Sequence, residues 1–87
     1  MKIKDGFILR EVAGSFIVVA VGSAVKDFKG IINLNETGAF LWKILEKGAD
    51  REELLTKLLE EYDVNEETAR RDIDAFINKL QEAKLVL

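Results

Sequence analysis

The spacing of apolar positions changes once along the chain, near Leu34. Before that point, Val, Ile and Phe come in short runs broken by glycine. Phe7-Ile8-Leu9-Arg10-Glu11-Val12 and Ser15-Phe16-Ile17-Val18-Val19-Ala20-Val21 have the length and β-branched content of two strands. Ala13-Gly14-Ser15 between them predicts a tight hairpin turn, with Gly14 supplying the positive φ such turns need. A polar loop through Gly22, Ser23, Lys26, Asp27 and Lys29 follows, and then a short third strand, Gly30-Ile31-Ile32-Asn33-Leu34.

From Asn35 onward the period becomes helical. Asn35 suits an N-cap, Glu36 is placed to meet the positive helix end, and Gly48 suits the C′ position. The helix between them carries Ala39, Phe40, Leu41, Trp42, Ile44 and Leu45, apolar almost all round, so it must be covered on more than one side. Asp50-Arg51-Glu52-Glu53 resembles a capping box and opens a second helix, whose apolar face is Leu54, Leu55, Leu58, Leu59 and Tyr62. Asn65 caps a third, with Ala69, Ile73, Phe76, Ile77 and Leu80 turned inward and Leu85-Val86-Leu87 folding back as an apolar tail. Three antiparallel strands followed by three helices predict a single α+β domain over residues 1–87, of the winged helix-turn-helix-like type.

Composition narrows the chemistry. The chain has 87 residues and no cysteine or histidine, which leaves no disulfide framework, no thiolate metal site and no Ser-His-Asp set. No glycine-rich phosphate loop is present. Asp72 and Asp74, the one carboxylate pair that invites an acid–base reading, diverge by about 200° on a helix and cannot face one substrate. Asp63, Asn65, Glu67 and Asp74 fall at calcium-loop spacings, but Thr68 stands where that loop needs glycine. These absences predict a protein that is not an enzyme and uses no cofactor or metal.

Thirteen basic residues against sixteen acidic ones give a net charge of −3, the wrong balance for nucleic-acid binding. Arg70, Arg71, Lys79 and Lys84 on the third helix are outnumbered there by Glu66, Glu67, Asp72, Asp74 and Glu82. A winged-helix DNA-binding regulator is therefore the weaker alternative, and a structural dimerisation module is another. No apolar run is long enough to span a membrane, which fits a cytoplasmic protein. The third strand is the most suggestive element. It is short, and by its place in the chain it falls at a sheet edge, where an extended peptide can add a further strand unless a loop or a homodimer partner covers it.

Leu34-Asn35-Glu36-Thr37-Gly38-Ala39-Phe40-Leu41-Trp42 resembles the signature of the PqqD family, pyrroloquinoline quinone synthesis protein D and its relatives. The likeness continues through Glu53-Leu54, Glu61-Tyr62-Asp63-Val64 and Asp72-Ile73-Asp74-Ala75-Phe76, and covers nearly all of the chain from about Phe7. Members that act in the quinone pathway resemble Tyr-Pro-Glu-Gly ahead of the third strand. This chain has Val21-Gly22-Ser23-Ala24 there and no proline, which places it in the broader, divergent branch.

The resemblance implies a non-catalytic recognition element for ribosomally made, post-translationally modified peptides. The leader segment of a precursor would pair beside Gly30, Ile31, Ile32, Asn33 and Leu34, in a cleft whose other wall is the third helix. The protein would then present the precursor to a radical S-adenosylmethionine or other modifying enzyme. On the third helix, the helical period groups Ile73 and Ile77 as an expected apolar floor, with Arg70, Asp74 and Gln81 along its rim.

Overall fold

The computed structural model describes residues 1–26, 28 and 30–87. Strands β1 (Phe7–Val12), β2 (Ser15–Ala20) and β3 (Ile32–Leu34) are followed by helices α1 (Glu36–Leu45), α2 (Arg51–Glu61) and α3 (Glu66–Glu82). The architecture is α+β, as the change of period predicts. The sheet is antiparallel in the order β1-β2-β3, so β3 is an edge strand.

Each helix starts where a short polar side chain can take a backbone N–H. Asn35 Oδ1 accepts from Gly38 N at 2.7 Å, Asp50 Oδ1 from Glu53 N at 2.8 Å, and Asn65 Oδ1 from Thr68 N at 2.8 Å. Gly48 ends α1 at φ 88°, the left-handed conformation that glycine adopts without a Cβ penalty. At the β1–β2 hairpin both Ala13 (φ 51°) and Gly14 (φ 81°) are left-handed, as a two-residue type I′ turn requires; only Gly14 was expected to be.

β2 ends at Ala20 rather than Val21, β3 begins at Ile32 rather than Gly30, and Gly22–Lys26 winds a short 3-10 turn where a plain loop was expected. Asp27 and Lys29 of that loop lie outside the described residues.

The core lies between one face of the sheet and the three helices. Val18, Ile32 and Leu34 from the sheet meet Leu41, Trp42 and Leu45 of α1, Leu54, Leu55 and Leu58 of α2, and Ala69, Ile73, Phe76, Ile77 and Leu80 of α3. Trp42 is fully buried, and its indole N–H has no acceptor among the described residues. The segment before β1 joins this core, a feature its sequence did not signal. Ile3 is buried and bridges Val86, while Met1 and Ala49 exchange two hydrogen bonds. The apolar tail therefore closes the core through Leu85 and Val86. Among the described residues, no helix is long and apolar enough to cross a membrane.

Candidate functional site

The pairing pattern fixes which backbone groups β3 leaves free. Val21 N–H donates to Gly6 O at 2.7 Å, which makes Gly6 and Val21 a hydrogen-bonded pair. In an antiparallel ladder such pairs alternate, so the odd-numbered residues of β2 turn their backbone groups toward β1 and the even-numbered ones toward β3. Phe16 and Val18 therefore bond Leu34 and Ile32, while Asn33, opposite Ile17, turns its N–H and C=O outward, away from the sheet.

That outward edge borders a groove of ≈ 540 Å³, within the range of ligand clefts. One wall is the β3–α1 junction, with Leu34, Asn35, Thr37, Gly38 and Leu41. The other wall is α3, with Asp72, Ala75, Phe76, Asn78, Lys79 and Glu82. Asp72, Phe76 and Lys79 recur at helical spacing on one flank of the helix, and buried Phe76 joins Leu34 and Leu41 in the apolar base. Lys79 reaches across the groove and its Nζ donates to Asn33 O at 2.8 Å.

The Leu-Asn-Glu-Thr-Gly signature has a structural role here. Leu34 anchors the strand in the core, Asn35 caps the helix, and Gly38 leaves room for both. A Cβ on Gly38 would lie 3.2 Å from Asn35 Oδ1 and 3.3 Å from Leu34 Cβ. The motif sets the turn from edge strand to helix and so shapes one end of the groove.

Of the residues expected at the edge, Ile32, Asn33 and Leu34 form the edge strand, and Gly30 and Ile31 lie in the segment just before it. Ile32 and Leu34 point into the core, whereas Ile31 is 57% exposed and Asn33 is exposed. None of the α3 residues expected in the cleft lines this groove. Ile73 and Ile77 are buried among core side chains. Arg70 and Asp74 lie on the opposite flank, toward α2. Arg70 pairs with Glu52 at 3.1 Å and with Glu66 at 3.1 Å, and Asp74 accepts from Arg51. These hydrogen bonds, Glu52 first and Glu66 second, raise the Arg70 guanidinium above its already high ordinary pKa. Gln81 is exposed and falls on that same flank by helical period.

The divergence of Asp72 and Asp74 holds, since one lines the groove and the other pairs with α2. Among the described residues, no group of acidic side chains is arranged to hold a metal ion.

Residues 15–86 match the family described as coenzyme PQQ synthesis protein D (PqqD). The chain belongs to the PqqD family. This PqqD-family chain is also similar to two solved structures. One is TbiB1 in complex with the TbiA(beta) leader peptide, at 25% identity and a TM-score of 0.75, covering 98% of this chain and 93% of that one. The other is lasso peptide synthetase B1 complexed with the leader peptide, at 22% identity and a TM-score of 0.74, covering 99% and 95% respectively. No curated protein matches the chain.

Proposed function

We propose that this chain is a non-catalytic recognition module that binds the leader segment of a ribosomally made precursor as an added strand beside β3. It delivers the precursor to a separate modifying enzyme, with a radical S-adenosylmethionine enzyme as the partner class that the family resemblance implies. The observation that carries the reading is the outward N–H and C=O of Asn33, on an edge strand that borders a groove with an apolar base. An extended peptide there gains main-chain hydrogen bonds that tolerate many sequences, while its side chains meet Leu34, Leu41 and Phe76 for selectivity. Membership of the PqqD family and the likeness to TbiB1, a structure that contains a leader peptide, support leader binding as the function.

The absence of histidine and cysteine from the sequence fits binding without catalysis. Two copies pairing through β3 would occupy the same Asn33 groups, so homodimerisation by that route competes with leader binding.

Calorimetric titration with a candidate ribosomal precursor peptide and with its two halves tests the reading. The full precursor and its leader half are expected to bind alike, and the trailing half to give no heat. Tight binding of the trailing half alone, or of neither half, would contradict it.

A further inference from the structure

Lys79 stands where an incoming strand has to make its bond. Its Nζ donates to Asn33 O, the acceptor that an added strand's N–H needs. Among the described residues it is also the only basic side chain lining the groove, which otherwise carries the acids Asp72 and Glu82. A lysine laid across a free edge is a known guard against promiscuous strand pairing. Here the guard has to change partner whenever the edge is used.

We propose that Lys79 is a specificity residue that selects peptides with a carboxylate side chain next to the residue pairing with Asn33. The inference rests on the strand-addition reading of the groove. When a peptide N–H takes the Asn33 carbonyl, the displaced ammonium needs a new acceptor. A peptide Asp or Glu supplies one and gains a charge-assisted bond. An apolar peptide leaves the ammonium to water, and a basic one opposes it. Glu82 lies three residues further along α3 and carries no ion pair among the described residues, so it is the intramolecular competitor for the released lysine.

The test is a display selection of random dodecapeptides against the wild-type chain, Lys79→Met and Lys79→Glu, each first shown to fold by circular dichroism. Wild-type binders are expected to enrich Asp or Glu at one register position. Lys79→Met should lose that preference while still binding, and Lys79→Glu should exchange it for Lys or Arg. For one enriched peptide, changing its acid to the matching amide should weaken wild-type binding roughly 1.5- to fivefold at low salt and leave Lys79→Met unaffected. Glu82→Gln should widen the wild-type ratio.

Peptides that slow exchange of the Asn33 amide yet show no acid preference would overturn the role of Lys79 alone. The same holds if Lys79→Met keeps the acid-to-amide ratio of the wild type. Binders that leave that amide unchanged, or no binders at all, would overturn the groove reading and this inference together.

Discussion

The two flanks of α3 have similar polar composition and opposite states. On the α2 side, Arg70 and Asp74 are engaged by Glu52 and Arg51 across the helix pair, and the surfaces are closed against each other. On the β3 side, Asp72 and Glu82 have no ionic partner among the described residues. Lys79 there is held by a backbone carbonyl rather than by a carboxylate. The open flank faces the strand with outward backbone groups. The two flanks differ less in charge density than in how their charged groups are met.

The largest expected effect concerns the residues between the flanks. Ile77→Ala leaves a cavity in a fully buried site and should cost about 2–5 kcal/mol of stability, read by urea denaturation. Leader affinity of the folded fraction should be unchanged. A stable variant that binds poorly would return Ile77 to the groove.

Prolines on β3 should separate ladder from edge. Ile32→Pro removes an N–H aimed at Val18 and should destabilise by about 1–3 kcal/mol or more, because a buried carbonyl loses its donor. Asn33→Pro removes only an outward N–H, so it should keep the fold and lose at least tenfold in leader affinity, the equivalent of about 1.4 kcal/mol. The contrast fails if both variants unfold alike or if Asn33→Pro binds as the parent does.

Smaller effects belong to the closed flank. Arg70→Ala should cost about 0.2–1 kcal/mol of stability, since its partners are exposed, and should leave leader binding alone. A matching loss of affinity in calorimetry would show that the peptide reaches this side.

The smallest effect is a pH dependence at Tyr62, whose ring stacks edge-on against Phe40 of α1. Burial first, then Glu36 and Glu61, raise its phenol above the ordinary value of 10.0. The unfolded chain therefore loses that proton first. The contribution of Tyr62 to stability is intact below pH 10.0 and is lost as pH rises through the higher folded value. Denaturation of Tyr62→Phe across that range should show a shallower decline than the parent, and equal slopes would refute the assignment.

The fold was largely legible because each element announces itself locally. Asn35, Asp50 and Asn65 mark the helix starts, Gly48 marks an end, and the apolar residues of α3 named from its period are all buried. The strand edge was legible too, from its place in the chain. The groove wall on α3 was not, and the reason is geometric. A helical period tells which face turns inward, but it is symmetric about that face and does not say which flank meets the sheet. Arg70–Asp74 and Asp72–Lys79 are equally good rims by sequence. One signal was available, in that Arg51-Glu52 at the start of α2 complements Asp74 and Arg70 in charge. The pairing of Ile3 with Val86 left no comparable mark, because a bridge between distant segments depends on how the whole chain folds.

The central claim is that Asn33 offers its backbone to a peptide strand, and amide hydrogen exchange reads that directly. In the free chain, the Asn33 N–H is expected to exchange quickly and the Ile32 N–H, inside the ladder, slowly. With saturating leader peptide, Asn33 should become protected by at least an order of magnitude while Ile32 stays as it was. If the leader binds and the Asn33 amide still exchanges at its free rate, the peptide does not add to β3.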